Sequence, residues 1–239
     1  MANCLTEFNN EVDKLVGKFT EVYLLPNRLS KIYGERVYVE DLLFAGLILS
    51  GCTVYKHLSE AGFIGICGDK AMELSGVIYA TVVPGKSFRE IFHKLLVEGY
   101  FKAIPRMPTS MWANLRERSY LIYLTRPAGG MSSLSTVGVY LPKSGVIEVA
   151  KKYGLSPPTI STVSHQPFGE TGTFTVLLGT CGLTGSWRKI HTNCPSNLTT
   201  SEGFCKVLDA ILGVFKDAVE LYGEVLNNGV KALNLYLLY

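Results

Sequence analysis

Residues 146–165 read VIEVAKKYGLSPPTISTVSH, and the predicted fold depends mainly on them. Ala150 is small at the position where a second helix would cross closely. Gly154 follows four residues later, where a first helix would end and the backbone favours positive φ. Apolar residues occupy the positions that would seal two helices together, namely Val149, Tyr153, Leu155, Ile160 and Val163. The spacing therefore predicts two short helices joined by a turn.

These residues resemble the helix-turn-helix family over about twenty positions, and the resemblance implies a second helix that lies in the major groove of double-stranded DNA. The resemblance implies that four side chains contact base edges, namely Thr159, Ser161, Thr162 and His165. It also implies that basic side chains position the protein on phosphates, namely Lys151, Lys152, Arg188 and Lys189, with Arg116, Arg118 and Arg126 extending the contact. The implied function is that of a non-enzymatic DNA-binding regulator.

The flanking sequence is similar to a winged helix. A helix near 110–124, a strand near 134–141, the helix pair and two strands within 173–190 give the order α-β-α-α-β-β, with residues 173–190 as the wing. We therefore expect an α+β fold in three parts. These are a mainly helical region (residues 1–105), the winged-helix-like unit (106–195) and a C-terminal helix for packing or dimerisation (196–239).

The C-terminal helix is predicted from two adjacent apolar stripes that follow Ser201. The first stripe is Phe204, Val207, Ile211, Val214, Ala218, Leu221 and Val225, and the second is Leu208, Leu212, Phe215, Val219, Tyr222 and Leu226. Together they form a face wider than a coiled-coil seam, so the helix either enters a core or forms a homo-oligomer interface. Asn227, Asn228 and Gly229 are expected to end or kink it.

Positive charge is concentrated in the middle of the chain. Residues 86–152 hold eleven basic and four acidic side chains, against seven and ten in residues 1–85 and five and six in residues 153–239. Such an excess suits phosphate binding, although an ordinary solvated face has the same composition. Residues 153–187 contain no Lys or Arg. This favours the alternative of a structural or protein-interaction protein whose helix-turn-helix-like unit packs against protein.

The cysteines leave several alternatives open. Cys181, His191, Cys194 and Cys205 can supply a four-ligand zinc site, but they lack the paired CxxC spacing that is typical of one. Buried thiols, or a disulfide between Cys194 and Cys205 or between Cys181 and Cys194, fit the same residues. No cofactor is expected apart from this zinc option.

No reaction is predicted from the sequence. The histidines His57, His93, His165 and His191 have no acidic partner by spacing, and phosphate-binding glycine motifs are missing. The opening MANC lacks the pattern of a secretory signal, and we expect neither a membrane partner nor a secreted location. With six Cys, one Gln and thirteen Tyr, the chain resembles uncharacterised proteins of hyperthermophilic archaeal viruses, spherical viruses among them. That resemblance implies a location in the host cytoplasm or the virion.

Overall fold

The structure, a computed structural model, describes residues 4–34, 37–59, 62–75, 99–125, 136–163, 173–186 and 189–237. Its helices are α1 (Cys4–Tyr23), α2 (Leu25–Tyr33), α3 (Val39–Leu49), α4 (Gly99–Ala103), α5 (Thr109–Arg118), α6 (Ser144–Lys152), α7 (Ser196–Thr199) and α8 (Glu202–Leu237). Its strands are β1 (Thr53–Lys56), β2 (Phe63–Cys67), β3 (Lys70–Ser75), β4 (Ser119–Thr125), β5 (Thr136–Pro142), β6 (Thr159–Val163), β7 (Thr173–Leu178), β8 (Cys181–Ser186) and β9 (Lys189–Thr192). The predicted α+β class is confirmed, with helices at the N-terminal end and a long C-terminal helix.

The strands form two antiparallel sheets. Sheet A has the order β1-β2-β3-β5-β4, and sheet B has the order β6-β7-β8-β9. Sheet A takes strands from both sides of residue 105, where the sequence predicted a boundary between two regions. The sheets meet where the side-chain hydroxyl of Tyr120 on β4 donates to the carbonyl oxygen of Pro158, just before β6, at 2.9 Å.

Helix α8 lies at the centre of the main core. It begins after Ser201, whose side-chain oxygen accepts a hydrogen bond from the backbone N–H of Phe204 at 3.2 Å, as expected of an N-cap residue. It packs against α1, α3, α6 and strands β4 and β5. The ring of Phe215 on α8 contacts the rings of Phe8 on α1 and Phe174 on β7. These three rings join α8, α1 and sheet B in one aromatic cluster.

Both apolar stripes of α8 are buried within this one chain. The alternative in which the helix enters a core is therefore the one observed, and the same side chains do not provide a surface for a second copy. Of the two outcomes expected at residues 227–229, an end or a kink, the end is wrong, because α8 continues to Leu237. Asn228 donates to the hydroxyl of Ser50 at 2.8 Å, and Gly229 lies against the backbone of Leu42. These tertiary contacts override weak local helix propensity.

Sheet A is covered on both faces because its side chains alternate. Phe63, Met72 and Val139 point into the main core with α3 and α8. Ile64, Ala71 and Tyr140 point to the opposite face, where Met107, Trp112 and Leu115 cover them. The second face thus forms a smaller core beneath α5.

The predicted second helix of the helix-turn-helix is wrong. Helix α6 ends as expected, and Gly154 has a φ of +68°. Residues 155–158 then run without regular structure into β6, which pairs with β7. Pro158 disfavours helical geometry at Pro157, and residues 159–163 are rich in β-branched side chains, which favour a strand. Ile160 and Thr162 are buried whereas Thr159 and Ser161 are exposed, the two-residue alternation of a strand.

Within the residues that the structure describes, we find no helix with both the length and the apolar character needed to cross a bilayer.

Candidate functional site

Five basic residues lie on or next to α5 and α6, and the end of α5 meets the start of α6. The backbone N–H of Lys143 donates to the carbonyl oxygen of Arg118 at 2.9 Å, and its ammonium group donates to the carbonyl oxygen of Glu117 at 3.0 Å. Lys151 and Lys152 are exposed at the other end of α6, roughly 12 Å from Lys143 at the helical rise per residue. We call the set Arg116, Arg118, Lys143, Lys151 and Lys152 the basic surface.

Among the described residues, no ion pair involves a cation of residues 99–152. The described residues between 99 and 152 contain seven cations and two acids, giving +5. The cations are Lys102, Arg106, Arg116, Arg118, Lys143, Lys151 and Lys152, and the acids are Glu117 and Glu148. The ion pairs seen among described residues lie elsewhere, such as Lys70 with Asp217 and Lys216 with Glu11. Unpaired, exposed cations create a positive potential that attracts anions.

The residues predicted to contact bases are not presented by a helix. Thr159 and Ser161 are exposed on β6. Thr162 is buried, and its hydroxyl oxygen accepts from the backbone N–H of Tyr123 at 3.0 Å and lies 3.4 Å from the carbonyl oxygen of Leu121. Thr162 therefore joins sheet B to sheet A, and its prediction as a base contact is wrong.

The other predicted contacts are described only in part. Lys189 begins β9, but its side chain is outside the described part of the structure. His165, Arg188 and Arg126 lie outside the described residues altogether.

The predicted zinc ligands are not brought together as a set of four. Cys181 is bonded to Cys194, one of the two disulfides that the sequence left open, whereas Cys205 is bonded to Cys4. His191 is exposed on β9. Because a sulfur in a disulfide is not a thiolate ligand, these three cysteines are not available as the predicted zinc ligands. Among the described residues, no cluster of three or more metal-binding side chains is found.

The second face of sheet A carries a polar cluster that sequence analysis missed. The ring nitrogen Nε2 of His57, which follows β1, lies 2.6 Å from Oε1 of Glu73 on β3. This is ion-pair distance, although the ring nitrogen makes no well-aligned hydrogen bond. The hydroxyl of Tyr140 on β5 donates to Oε2 of Glu73 at 2.6 Å. The side chains of His57 and Glu73 are only 13% and 9% exposed, so the pair is largely shielded from water.

Aromatic side chains enclose this cluster. The Trp112 ring on α5 meets the His57 ring edge to face at a centroid distance of 5.0 Å and the Tyr140 ring at 5.7 Å. Burial, reinforced by the negative charge of Glu73 and its hydrogen bond, raises the pKa of Tyr140 far above the usual tyrosine value. Tyr140 therefore keeps its hydroxyl proton, which it donates to Glu73.

A serine completes a chain of polar groups that runs from solvent to the core. Ser59 is exposed in the turn after β1, and its hydroxyl oxygen lies 2.7 Å from Nδ1 of His57. The backbone N–H of Ser59 donates to the same nitrogen at 3.2 Å. Ser59, His57 and Glu73 therefore lie in series, with Glu73 innermost.

The turn that carries Ser59 is held by a second segment. Residues 105–107 run beside β1, with the N–H of Lys56 donating to the carbonyl oxygen of Pro105 at 2.8 Å and the N–H of Met107 donating to that of Lys56 at 3.0 Å. This places the exposed Arg106 next to the turn, where its guanidinium donates to the carbonyl oxygen of Leu58. The positive charge of Arg106 is therefore held close to Ser59.

Only one feature of the sequence points to this polar cluster. Glu73 is a charged residue between the apolar Met72 and Leu74, which is unusual in a buried strand. Its partner His57 is brought to it only by the pairing of three strands, which spacing along the chain does not reveal.

Comparisons of the chain with protein-family models, with curated proteins and with solved structures found no match.

Proposed function

We propose that this protein binds double-stranded DNA through phosphate contacts made by the basic surface. The observation that carries the proposal is that the cations of the basic surface, all exposed except the half-buried Lys143, lack ion-pair partners among the described residues. Lys and Arg side chains that neutralise phosphates release counterions, which supplies most of the free energy of sequence-independent binding.

Residues 159–163 form a strand and not a recognition helix, which favours binding through phosphates over readout of bases. Phosphate contacts fix the position of a protein on DNA but carry little sequence information. Thr159 and Ser161 contribute exposed hydroxyl groups, which are additional donors to phosphate oxygens. We therefore expect binding with little sequence preference rather than regulator-like recognition of one site.

The test is binding to random-sequence duplex DNA, measured by fluorescence anisotropy over a salt series. The double variant Lys151→Ala/Lys152→Ala is expected to reduce the slope of log affinity against log salt by about 1.8, since each lost phosphate contact removes about 0.9. The matched control Lys14→Ala/Lys18→Ala removes the same charge from the exposed face of α1 and should keep the parent slope. Equal affinity of parent and Lys151/Lys152 variant at every salt concentration contradicts the proposal.

A second candidate is a structural or protein-interaction protein that self-associates. Large apolar side chains are exposed near one end of α8, where Ile32 is 74% and Leu235 is 55% exposed. These residues lie near each other in the chain fold, since the adjacent Tyr33 donates to Asn234 at 2.8 Å. Light scattering that shows a dimer in the parent and a monomer in Ile32→Ser/Leu235→Ser supports it, and a monomeric parent at high concentration rules it out.

The disulfides indicate the kind of compartment in which the protein acts. All six cysteines are paired, as Cys4–Cys205, Cys52–Cys67 and Cys181–Cys194. Stable disulfides form in oxidising surroundings or inside hyperthermophilic cells. We therefore propose that the protein is located in the cytoplasm of a hyperthermophilic host cell or in the virion. Free-thiol labelling of protein isolated from its natural source tests it.

A further inference from the structure

We propose that Ser59, His57 and Glu73 form a nucleophile–base–acid relay that hydrolyses carboxylic esters. The proposal rests on two separations already described, which place the hydroxyl, the imidazole and the carboxylate in series. It departs from the expectation of a non-enzymatic protein, which depended on spacing along the chain.

The hydrogen bonds determine which ring nitrogen of His57 is the base. Nδ1 accepts from the backbone N–H of Ser59, so this nitrogen carries a lone pair and no proton. The ring proton therefore lies on Nε2, which faces Glu73. In this tautomer Nδ1 is the acceptor for the proton of the Ser59 hydroxyl group.

Glu73 is the group that stabilises the charged imidazole. Its carboxylate is buried, and the hydroxyl of Tyr140 donates to its second oxygen, which fixes its orientation. A buried carboxylate in this position holds the correct tautomer and stabilises the imidazolium when the base takes up a proton. The imperfect alignment of Nε2 with Oε1 does not oppose this role, because catalytic hydrogen bonds commonly tighten only when substrate is bound.

The surroundings of Ser59 suit an ester substrate. Ser59 is exposed to solvent whereas His57 and Glu73 are shielded, so a substrate meets the nucleophile first. Arg106 is anchored to the same turn through the carbonyl oxygen of Leu58. Its positive charge is available to the negative oxygen that develops on the carbonyl group during attack.

The reaction balances with water as the only co-reactant. The Ser59 oxygen bonds to the carbonyl carbon while its proton passes to Nδ1 of His57. The bond to the leaving alcohol then breaks, and Nδ1 returns the proton to the alcohol oxygen. Water attacks the acyl-serine by the same route, which releases the carboxylic acid and restores the hydroxyl group.

The first test is covalent labelling of the purified, oxidised full chain with a fluorophosphonate probe, followed by peptide mapping. We expect the label on Ser59 in the parent and in the control Ser144→Ala, which removes an exposed hydroxyl from α6, but not in Ser59→Ala. A parent that carries no label on Ser59 overturns the proposal.

The second test is the hydrolysis of p-nitrophenyl acetate. Ser59→Ala is expected to abolish the enzymatic rate, and Glu73→Gln to lower it by about 10²-fold or more. Lys14→Ala/Lys18→Ala, on the exposed face of α1 and outside both proposed sites, should retain the parent rate. Because the Ser59 side chain is exposed, Ser59→Ala should fold normally. Circular dichroism tests whether it does. An unchanged rate in folded Ser59→Ala refutes the relay.

Discussion

Gly46 of α3 and Gly229 of α8 meet where the two helices cross without room for a side chain. A Cβ atom on Gly46 would lie 1.8 Å from the carbonyl oxygen of Val225 and 3.0 Å from the backbone nitrogen of Gly229. A Cβ atom on Gly229 would lie 1.9 Å from the carbonyl oxygen of Leu42. These neighbours are backbone atoms, which a rotamer change cannot move aside.

Substituting either glycine should therefore destabilise the protein. We expect Gly46→Ala and Gly229→Ala each to lower the free energy of unfolding by about 3 kcal/mol or more, because overpacking here forces the helices apart. The control is Gly213→Ala, also on α8, where no atom lies within 4 Å of the Cβ position. This substitution should raise the free energy of unfolding by about 0.5–1 kcal/mol. Urea denaturation measures all three, and equal stability of Gly229→Ala and Gly213→Ala would contradict the crossing.

The buried tyrosines predict the response to alkaline pH. Burial raises the pKa of Tyr120 to about 12 and raises those of Tyr140 and Tyr222 further. The unfolded chain, with tyrosine pKa values of about 10, releases these protons first, so stability should fall as the pH rises above about 10. Ultraviolet titration near pH 11 should leave at least three of the thirteen tyrosines protonated until the chain unfolds. Ionisation of all thirteen in the folded protein would refute this expectation.

The disulfides should contribute unequally to stability. Cys4–Cys205 joins residues separated by 201 positions, against 15 for Cys52–Cys67 and 13 for Cys181–Cys194. On the chain-entropy model, the first is worth about 5 kcal/mol and each of the others about 3 kcal/mol. Calorimetry should therefore show a larger loss for Cys4→Ser/Cys205→Ser than for Cys52→Ser/Cys67→Ser. Peptide mapping without reduction checks the pairing itself, and a Cys194–Cys205 peptide would contradict it.

The side chain of Thr162 should stabilise the junction of the two sheets. Thr162→Val keeps the shape but removes the acceptor of the part-buried N–H of Tyr123, which should lower stability by about 1–3 kcal/mol. Thr162→Ser retains the hydroxyl and should lose less. The neighbouring Ser161→Ala, on the exposed face of β6, should stay within about 0.5 kcal/mol of the parent in thermal unfolding. A Thr162→Val protein as stable as Ser161→Ala would argue against the junction.

Much of the helical structure could be predicted from the sequence because its signal is local. The apolar repeats of α1 and α8 mark their buried faces, and the turn at Gly154 was correctly placed after α6. The end of α8 could not be predicted from Asn227 to Gly229, because the contact of Gly229 with α3 joins residues far apart in the chain.

The failures share a dependence on strand pairing. Residues 159–163 become a strand because β7 is available to pair with them, and a helical interpretation of their spacing ignores that partner. The relation of His57 to Glu73 depends on the register of β1, β2 and β3. The resemblance to a helix-turn-helix implies the cations of α5 and α6 as phosphate contacts, but the placement of α5 beside α6 depends on the bond between Arg118 and Lys143.

The bond between Cys4 and Cys205 has a consequence for proteolysis. A protease that cuts the backbone once anywhere between these two residues leaves both fragments covalently attached. Such a nicked molecule would migrate as one species on a gel until a reducing agent separates it into two.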